Sequence, residues 1–267
     1  MWTDIATTVS SPNSPTQLEL SLPKLAGRRP TRFAVIRFPG SNCDQDCLRA
    51  LREDCGYAAE YVWHQESSLA GFDAIVVPGG FSYGDYLRCG AMARHSPVMK
   101  AVSEAAASGV PVIGICNGFQ ILCEAGLLPG ALLRNRSLHF VCAPVTLRVE
   151  SVDSPFTSQC YAGQLLTMPV AHGEGCYHAD PETLRALEEN HQVLLRYVDA
   201  LTGEAIEASN PNGSAGNIAG ICNAERNVFG LMPHPDRAAH ERLGSEDGKL
   251  VFAAMAEHVA GLSVAKR

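Results

Sequence analysis

The chain alternates short apolar runs with longer stretches in which apolar residues recur every three or four positions. Such runs predict buried strands, and those in the first half are Phe33–Phe38, Ala59–Trp63, Ala74–Val77 and Val110–Ile115. The helical spacing between them predicts helices over Asp44–Asp54, Pro97–Ser108 and Asn117–Ala125. Strands that are apolar on both sides and separated by helices indicate a parallel sheet with helices on both faces.

The pattern changes in the second half of the chain. Two strand-like runs, Phe140–Val149 and Leu165–Val170, have little helix between them, which predicts an antiparallel excursion at one edge of the sheet. The remaining expected elements are strands at Val193–Val198, Ile218–Cys222 and Val228–Met232, and helices at Pro181–Asn190 and Gly248–Ala260. The sequence contains no internal repeat, and its composition does not change in a way that would mark a second domain. We therefore expect a single α/β domain over residues 31–267 with a mostly parallel sheet.

Residues 1–30 differ from this periodic part. Ser, Thr and Pro crowd together over Thr7–Gln17, and Arg28 and Arg29 close the segment. We interpret residues 1–30 as a flexible arm, with a targeting role as the weaker alternative.

Composition narrows the function classes. The chain has 267 residues, of which 46% are hydrophobic and 18% charged, which is typical of a globular protein. The net charge of −7 argues against a basic surface that would bind nucleic acid or an anionic membrane. Runs such as Val110–Ile115 are far too short to span a bilayer. Since the ten cysteines form no C-x-x-C pair and Met1–Pro30 has no apolar signal region, we expect reduced thiols in the cytoplasm.

Cys116 is the strongest candidate for a catalytic nucleophile. The predicted strand ends in Gly114-x-Cys116-x-Gly118 and turns directly into a helix, the cysteine version of a nucleophile elbow. Such a turn raises the sulfur above the carboxyl end of the sheet and sets it at a helix N-terminus, where a thiolate is favoured. A buried structural cysteine is the alternative, but the flanking glycines favour the nucleophile.

His234 is the candidate base for this thiol. It follows a predicted buried strand, and Pro233 and Pro235 restrict the backbone on either side of it. Asp236, two residues later, can orient the imidazole and fix its tautomer, as the acid of a catalytic triad does. A hydrogen-bonded structural histidine is the alternative.

Acyl transfer also needs donors for an oxyanion. Gly80 follows the third predicted strand, and Asn117 follows the nucleophile, so their backbone N–H groups are the expected oxyanion donors. No phosphate-binding glycine motif occurs, and no metal site is expected, because His172 and Glu174 lack further ligands at a suitable spacing. Four other cysteines are interpreted as ordinary core or surface thiols: Cys43, Cys55, Cys89 and Cys123.

The motifs around Cys116 and His234 resemble those of the class I (triad) glutamine amidotransferases, which have a flavodoxin-like fold. Six blocks further resemble the small glutaminase subunits of phosphoribosylformylglycinamidine synthases: Phe38–Asp44, Gly79–Gly90, Cys116–Leu122, Gly126–Asn135, Pro169–Gly175 and Asn210–Ser214. The resemblance covers about residues 32–260 and excludes the N-terminal arm.

The resemblance implies hydrolysis of L-glutamine through a Cys116 thioester and delivery of ammonia to a separate synthetase subunit. That partner would use ATP and Mg to make phosphoribosylformylglycinamidine in de novo purine biosynthesis, often with a small bridging subunit, and this chain would carry no cofactor. Gln120 occupies the position that binds glutamine in the family, Gly80 and Asn117 match the oxyanion positions, and His172 and Glu174 lie in a block near the substrate cleft.

One departure separates this chain from the family pattern. The family usually has Glu two residues after the histidine, whereas this chain has Asp236, whose shorter side chain we expect to keep the orienting role. Four alternatives remain open at this point: another class I amidotransferase, a related cysteine hydrolase, a non-catalytic docking subunit and a thiol redox sensor.

Overall fold

The computed structural model describes residues 30–265, and the predicted arm over residues 1–30 lies outside this range except for Pro30. The strands are β1 Arg32–Arg37, β2 Ala58–Trp63, β3 Ala74–Val77, β4 Val112–Ile115, β5 Ala131–Leu133, β6 Val141–Val149, β7 Leu165–His172, β8 Cys176–His178, β9 Val193–Val198, β10 Ile218–Cys222 and β11 Val228–Leu231. The α-helices are α1 Asp44–Arg49, α2 Pro97–Ala107, α3 Asn117–Glu124, α4 Pro181–Glu189 and α5 Gly248–Ala265.

A nine-stranded mixed sheet organises the fold, in the order β2-β1-β3-β4-β11-β10-β9-β6-β7. The first five strands in this order are parallel to their neighbours, and the last four pair antiparallel. Strands β3, β4 and β11 are buried along their whole length, as expected for a parallel sheet covered on both faces. The predicted α/β class and its antiparallel edge are confirmed.

The antiparallel part is wider than the predicted excursion, because it also includes β9 and β10. The reason is the connection from β10 to β11, which covers only residues 223–227. A parallel crossover needs a dozen or more residues, so a link this short permits only antiparallel pairing.

Local details differ from the predicted elements in two places. The first helix is α-helical only to Arg49 and continues as a π-helical turn over Ala50–Asp54. The short strands β5 and β8, which pair in a separate two-stranded sheet, were not predicted, because three-residue strands leave no readable alternation.

Close packing of α3 on the sheet fixes the position of the chain between β4 and α3. An added Cβ on Gly118 would lie 2.7 Å from the backbone carbon of Val77 in β3. One on Gly114 would lie 2.6 Å from the backbone of Gly118. Glycine at both positions therefore lets the helix start directly against the central strands.

No helix within residues 30–265 is long and apolar enough to cross a membrane.

Candidate active site

Cys116 occupies the sharp turn between β4 and α3. Its backbone has φ 51° and ψ −106°, a conformation that is strained for a residue with a Cβ. The Cys116 N–H donates to the Leu231 carbonyl at 2.7 Å, which ties the turn to β11. Only 6% of Cys116 is exposed. The surrounding sheet therefore holds the thiol in one place at the end of the central strands.

His234 follows β11 and is paired with Asp236. The imidazole Nδ1 lies 3.2 Å from Asp236 Oδ1, and both side chains are almost fully buried. The short side chain reaches the ring because Pro235–Arg237 forms a 3₁₀ turn that brings the carboxylate back. A bond from the His234 N–H to the Pro169 carbonyl, at 2.8 Å, fixes the backbone against β7.

The second ring nitrogen of His234, Nε2, is on the side of the imidazole that faces the Cys116 thiol. His234 Nε2 is buried and has no well-formed hydrogen bond within the described residues. Burial by itself lowers the His234 pKa, but the Asp236 carboxylate and, to a smaller extent, Cys116 reverse this effect and raise the pKa to about 10. An imidazole with this raised pKa is basic enough to accept and hold a proton near neutral pH.

A cavity of about 450 Å³ opens in front of these groups. Gly79 packs against these groups, since an added Cβ there would lie 2.9 Å from His234 Cε1, 3.2 Å from Cys43 Sγ and 3.4 Å from Cys116 Cβ. The lining residues are Asn42, Cys43, Gly80, Phe81, Asp85, Cys89, Cys116, Gln120, Phe140, Ala171, His172, Gly173, Glu174, His234 and Arg237. The candidate nucleophile and base therefore face one cavity large enough for an amino acid.

Gly80 and Asn117, the predicted oxyanion donors, both lie at this end of the sheet. Gly80 lines the cavity with φ +132°, and an added Cβ there would lie 2.6 Å from Asn42 Oδ1, so only glycine fits. Asn117 is the first residue of α3, where backbone N–H groups have no helical acceptor. Its side-chain oxygen accepts from the Ser82 N–H at 3.1 Å, which joins the loop after β3 to α3.

Gln120 lines the same cavity, and its amide forms two hydrogen bonds with the protein. Its Nε2 donates to the Glu174 carbonyl at 2.6 Å, and its Oε1 accepts from Asn117 Nδ2 at 2.8 Å. Gln120 is only 5% exposed, and these two bonds connect two walls of the cavity while using one of its two amide hydrogens and one of its two acceptor positions.

Cys43 and Arg237 are site residues that the sequence analysis missed. Cys43 lies at the cavity wall, where Arg237 Nη2 donates to its sulfur at 3.1 Å, and Asp46 holds the guanidinium by a 3.0 Å contact. Burial raises the pKa of the Cys43 thiol to about 12, so this cysteine stays protonated. The signal available in the sequence was the block Phe38–Asp44, which contains Cys43.

His172 has a structural role in the cavity wall. Its Nδ1 lies 3.1 Å from Asn135 Oδ1 and its Nε2 lies 3.4 Å from Asn212 Nδ2, so both ring nitrogens have partners. Burial, together with the positive charge of His234, lowers its pKa to about 4 and keeps it neutral. Within the described part of the chain, no three His, Cys, Asp or Glu side chains are grouped to hold a metal ion.

Comparison with known proteins places this geometry in a family. Residues 30–247 match the model of the CobB/CobQ-like glutamine amidotransferase domain. The chain is 56% identical over 221 residues to the phosphoribosylformylglycinamidine synthase subunit PurQ of Acaryochloris marina, covering 83% of this chain and 94% of that relative. It is 57% identical over 234 residues to the corresponding subunit of Thermomicrobium roseum, covering 88% and 98%. The chain belongs to the PurQ family of glutamine amidotransferases.

Solved structures agree with membership of the PurQ family. The structure of PurLQS from Thermotoga maritima contains a chain 44% identical to this one, with a TM-score of 0.76 and coverage of 86% of this chain and 100% of that one. A glutamine amidotransferase from the same organism, at 15% identity and a TM-score of 0.52, shares the fold and covers 87% and 99%. The fold and the family that the motifs predicted are both confirmed.

Proposed function

We propose that this chain is the glutaminase subunit of a phosphoribosylformylglycinamidine synthase. The observation that carries the proposal is the position of Cys116, which is strained at the end of β4 beside an imidazole whose other nitrogen is held by Asp236. The PurQ relatives provide independent support for the same activity.

The first half of the reaction forms a thioester. His234 takes the Cys116 proton, and the sulfur attacks the side-chain amide carbon of L-glutamine. In this mechanism the backbone N–H groups of Gly80 and Asn117 bind the resulting oxyanion. When the C–N bond breaks, the imidazolium returns the proton to the departing nitrogen, so ammonia leaves and the γ-glutamyl group stays on sulfur.

The second half releases glutamate. A water molecule gives a proton to His234 and attacks the thioester carbon, and the same oxyanion donors are used again. Cleavage of the C–S bond then regenerates the thiol. Asp236 holds the His234 ring in one orientation through both halves, since its carboxylate is bound to Nδ1.

The ammonia is used by another subunit. The relatives are named as synthase subunits, and the similar solved chain comes from PurLQS, which supports an assembly with a synthetase subunit and a small bridging subunit. The synthetase would use ATP and Mg to convert formylglycinamide ribonucleotide to the amidine in purine biosynthesis. We assign no cofactor to this chain.

The division of the chain is also a proposal. We propose that the amidotransferase domain comprises residues 31–267 and that catalysis does not need residues 1–30. Deletion of residues 1–29 is expected to leave glutamine turnover unchanged in the assembled complex. The cytoplasmic location stays a prediction.

The decisive experiment uses the reconstituted complex with either glutamine or ammonium as nitrogen donor. Replacing Cys116 with Ala should abolish amidine formation from glutamine and leave formation from ammonium intact, because only the glutaminase step needs the thiol. A matched control is Cys142→Ala, since Cys142 is exposed and outside the cavity. It should retain both activities.

Two results would contradict the proposal. Glutamine-dependent activity that survives in the Cys116→Ala complex would exclude a cysteine thioester and favour a docking subunit without catalysis. A complex that makes no amidine from either donor with the wild-type chain would exclude this synthase and favour a different acceptor.

A further inference from the structure

The two expected oxyanion donors belong to separate segments of the chain. Gly80 lies in the loop after β3, and Asn117 begins α3. Two N–H groups stabilise one oxyanion only when both are at hydrogen-bonding distance from it. Oxyanion stabilisation therefore depends on whatever fixes this loop relative to α3.

The side chain of Asn117 joins the two segments. Its Oδ1 accepts from the Ser82 N–H at 3.1 Å and from the Ser82 hydroxyl. Its Nδ2 donates to Asp85 Oδ1 at 3.1 Å and to Gln120 Oε1 at 2.8 Å. Both acceptor positions of the amide oxygen and both amide hydrogens are used, and the Ser82 N–H determines which end of the amide faces the loop.

Ser82 and Asn117 are almost completely buried, with exposed fractions of 2% and 1%. Because water does not reach this contact freely, a lost hydrogen bond there leaves a buried group without its partner. Ser82 is two residues after Gly80, which is at most about 7 Å of chain. A displacement of Ser82 therefore moves the Gly80 N–H as well.

The loop depends on bonds to its neighbours because its own backbone does not favour this shape. Tyr83, Asp85 and Leu87 have φ angles of 56°, 51° and 73°, in the left-handed region that residues with a Cβ rarely adopt. Such residues persist only where the surrounding structure holds them. Without the Ser82 hydroxyl, the loop is expected to relax away from α3.

The opposite side of the loop is fixed by backbone hydrogen bonds. The Phe81 N–H donates to the Gly40 carbonyl at 3.1 Å, and the Tyr83 N–H donates to the Pro39 carbonyl at 2.6 Å. A side-chain substitution leaves these bonds in place. Replacing Ser82 therefore loosens the side of the loop that faces α3 and keeps the other side attached.

We propose that Ser82 is a positioning residue for oxyanion stabilisation, which sets the place of the Gly80 N–H relative to the Asn117 N–H through the Asn117 amide. This inference rests on the proposed function. Ser82 is not among the described residues that line the cavity, so its effect reaches the reaction through Asn117 and Gly80. Asn117 then has two roles, one for its backbone N–H and one for its side chain.

The test measures glutamine hydrolysis by the assembled complex with Ser82→Ala, Asn117→Ala and the double variant. Alanine at position 117 keeps the backbone N–H and removes only the amide. Since loss of one oxyanion donor lowers kcat by about 10²–10³-fold, we expect a fall of roughly 10-fold in Ser82→Ala, which keeps its backbone bond, and roughly 100-fold in Asn117→Ala, with KM nearly unchanged. The double variant should be no slower than Asn117→Ala, because Ser82 acts through that amide.

The matched control is Ser103→Ala. It removes a serine hydroxyl that is bonded to the Met99 carbonyl at 2.9 Å within α2, outside the cavity. This variant should keep the kcat and KM of the wild type.

Alkylation of Cys116 by iodoacetamide separates the proposed role from a general disturbance of the site. In this reaction the sulfur displaces iodide from a saturated carbon, so a C–S bond forms, a C–I bond breaks and no oxyanion develops. The thiol still has to lose its proton, as it does in the attack on glutamine. The alkylation rate at Cys116, followed by peptide mass spectrometry, should therefore be the same in the wild type, Ser82→Ala and Asn117→Ala.

Three results would overturn the inference: a wild-type kcat in Ser82→Ala, losses that add up in the double variant, or a fall in the alkylation rate equal to the fall in kcat. The last result would mean that Cys116 or His234 had moved. A wild-type complex that releases no ammonia from glutamine would instead refute the proposed function, and this inference with it.

Discussion

Gly118→Ala tests the close contact between α3 and β3, because it adds a single methyl group at that contact. In most helices, Gly→Ala is stabilising by about 0.5–1 kcal/mol, because alanine has less backbone freedom to lose. At Gly118 the added Cβ would lie 2.7 Å from the Val77 carbon and 3.3 Å from the Pro78 oxygen, and still closer to the Val77 oxygen. The ordinary preference for alanine is therefore expected to reverse.

The loss of stability in Gly118→Ala depends on how easily the backbone of Val77 can move away from the added methyl group. Val77 belongs to β3, which is fully buried and paired with strands on both sides, so its backbone cannot shift by an ångström without breaking those pairs. Overpacking of this kind costs about 1–3 kcal/mol, and the upper end applies where backbone is the obstacle. For a domain of this size, we expect Gly118→Ala to lower Tm by roughly 6–12 °C.

Thermal unfolding of the purified chain provides the assay, and Gly261→Ala is the matched control. Gly261 lies in α5, and nothing in the described part of the chain lies within 4 Å of its added Cβ, so this change should leave Tm unchanged or raise it. Glutamine turnover in the complex should fall by about 100-fold in Gly118→Ala, since displacing α3 moves Cys116. A Gly118→Ala variant with wild-type Tm and full turnover would refute this account of the α3 contact.

Three further predictions concern the catalytic pair and the loop after β3. Asp236→Asn should lower kcat by about 10³–10⁴-fold with little change in KM, and Asp236→Glu should recover most of the loss; equal rates for wild type and Asp236→Asn would remove Asp236 from the mechanism. Because the pKa of His234 is raised to about 10, the stabilisation from its charged form is complete below about pH 6.5 and is lost as the pH rises toward 10. The free energy of unfolding, measured in urea between pH 7 and 10, should therefore fall more steeply in the wild type than in Asp236→Asn, and parallel curves would contradict the pairing. Tyr83 lies in the loop after β3, and its hydroxyl forms hydrogen bonds of 2.7 Å to His64 and 2.8 Å to Ser96. Tyr83→Phe should lower the free energy of unfolding in urea by about 1–3 kcal/mol, and no measurable loss would show that these bonds do not anchor this loop.

The parts of the site that the sequence predicted well depend on local chemistry. The elbow at Cys116 needs only two glycines and a change from strand to helix, all within five residues. The pairing of His234 with Asp236 needs only a turn of two residues. Patterns of this length can be read from a sequence because the backbone geometry that they require is short-range.

The parts that were missed depend on contacts between distant segments. Arg237 meets Cys43 across 194 positions, and Gln120 reaches the Glu174 backbone across 54. Neither contact leaves a periodic signal, since the topology of the sheet alone brings these segments to one edge. The binding of glutamine by Gln120 stays a prediction, and its contacts with Asn117 and the Glu174 backbone could not be read from the sequence.

The most direct test of the central claim is to map the site of covalent labelling by a diazo-ketone analogue of glutamine. The assembled complex is treated with the analogue, with and without excess glutamine, and its peptides are analysed by mass spectrometry. The account predicts an adduct on Cys116 alone among the ten cysteines, and protection by glutamine. Labelling of Cys43 or of several thiols without protection, with Cys116 unmodified, would contradict it.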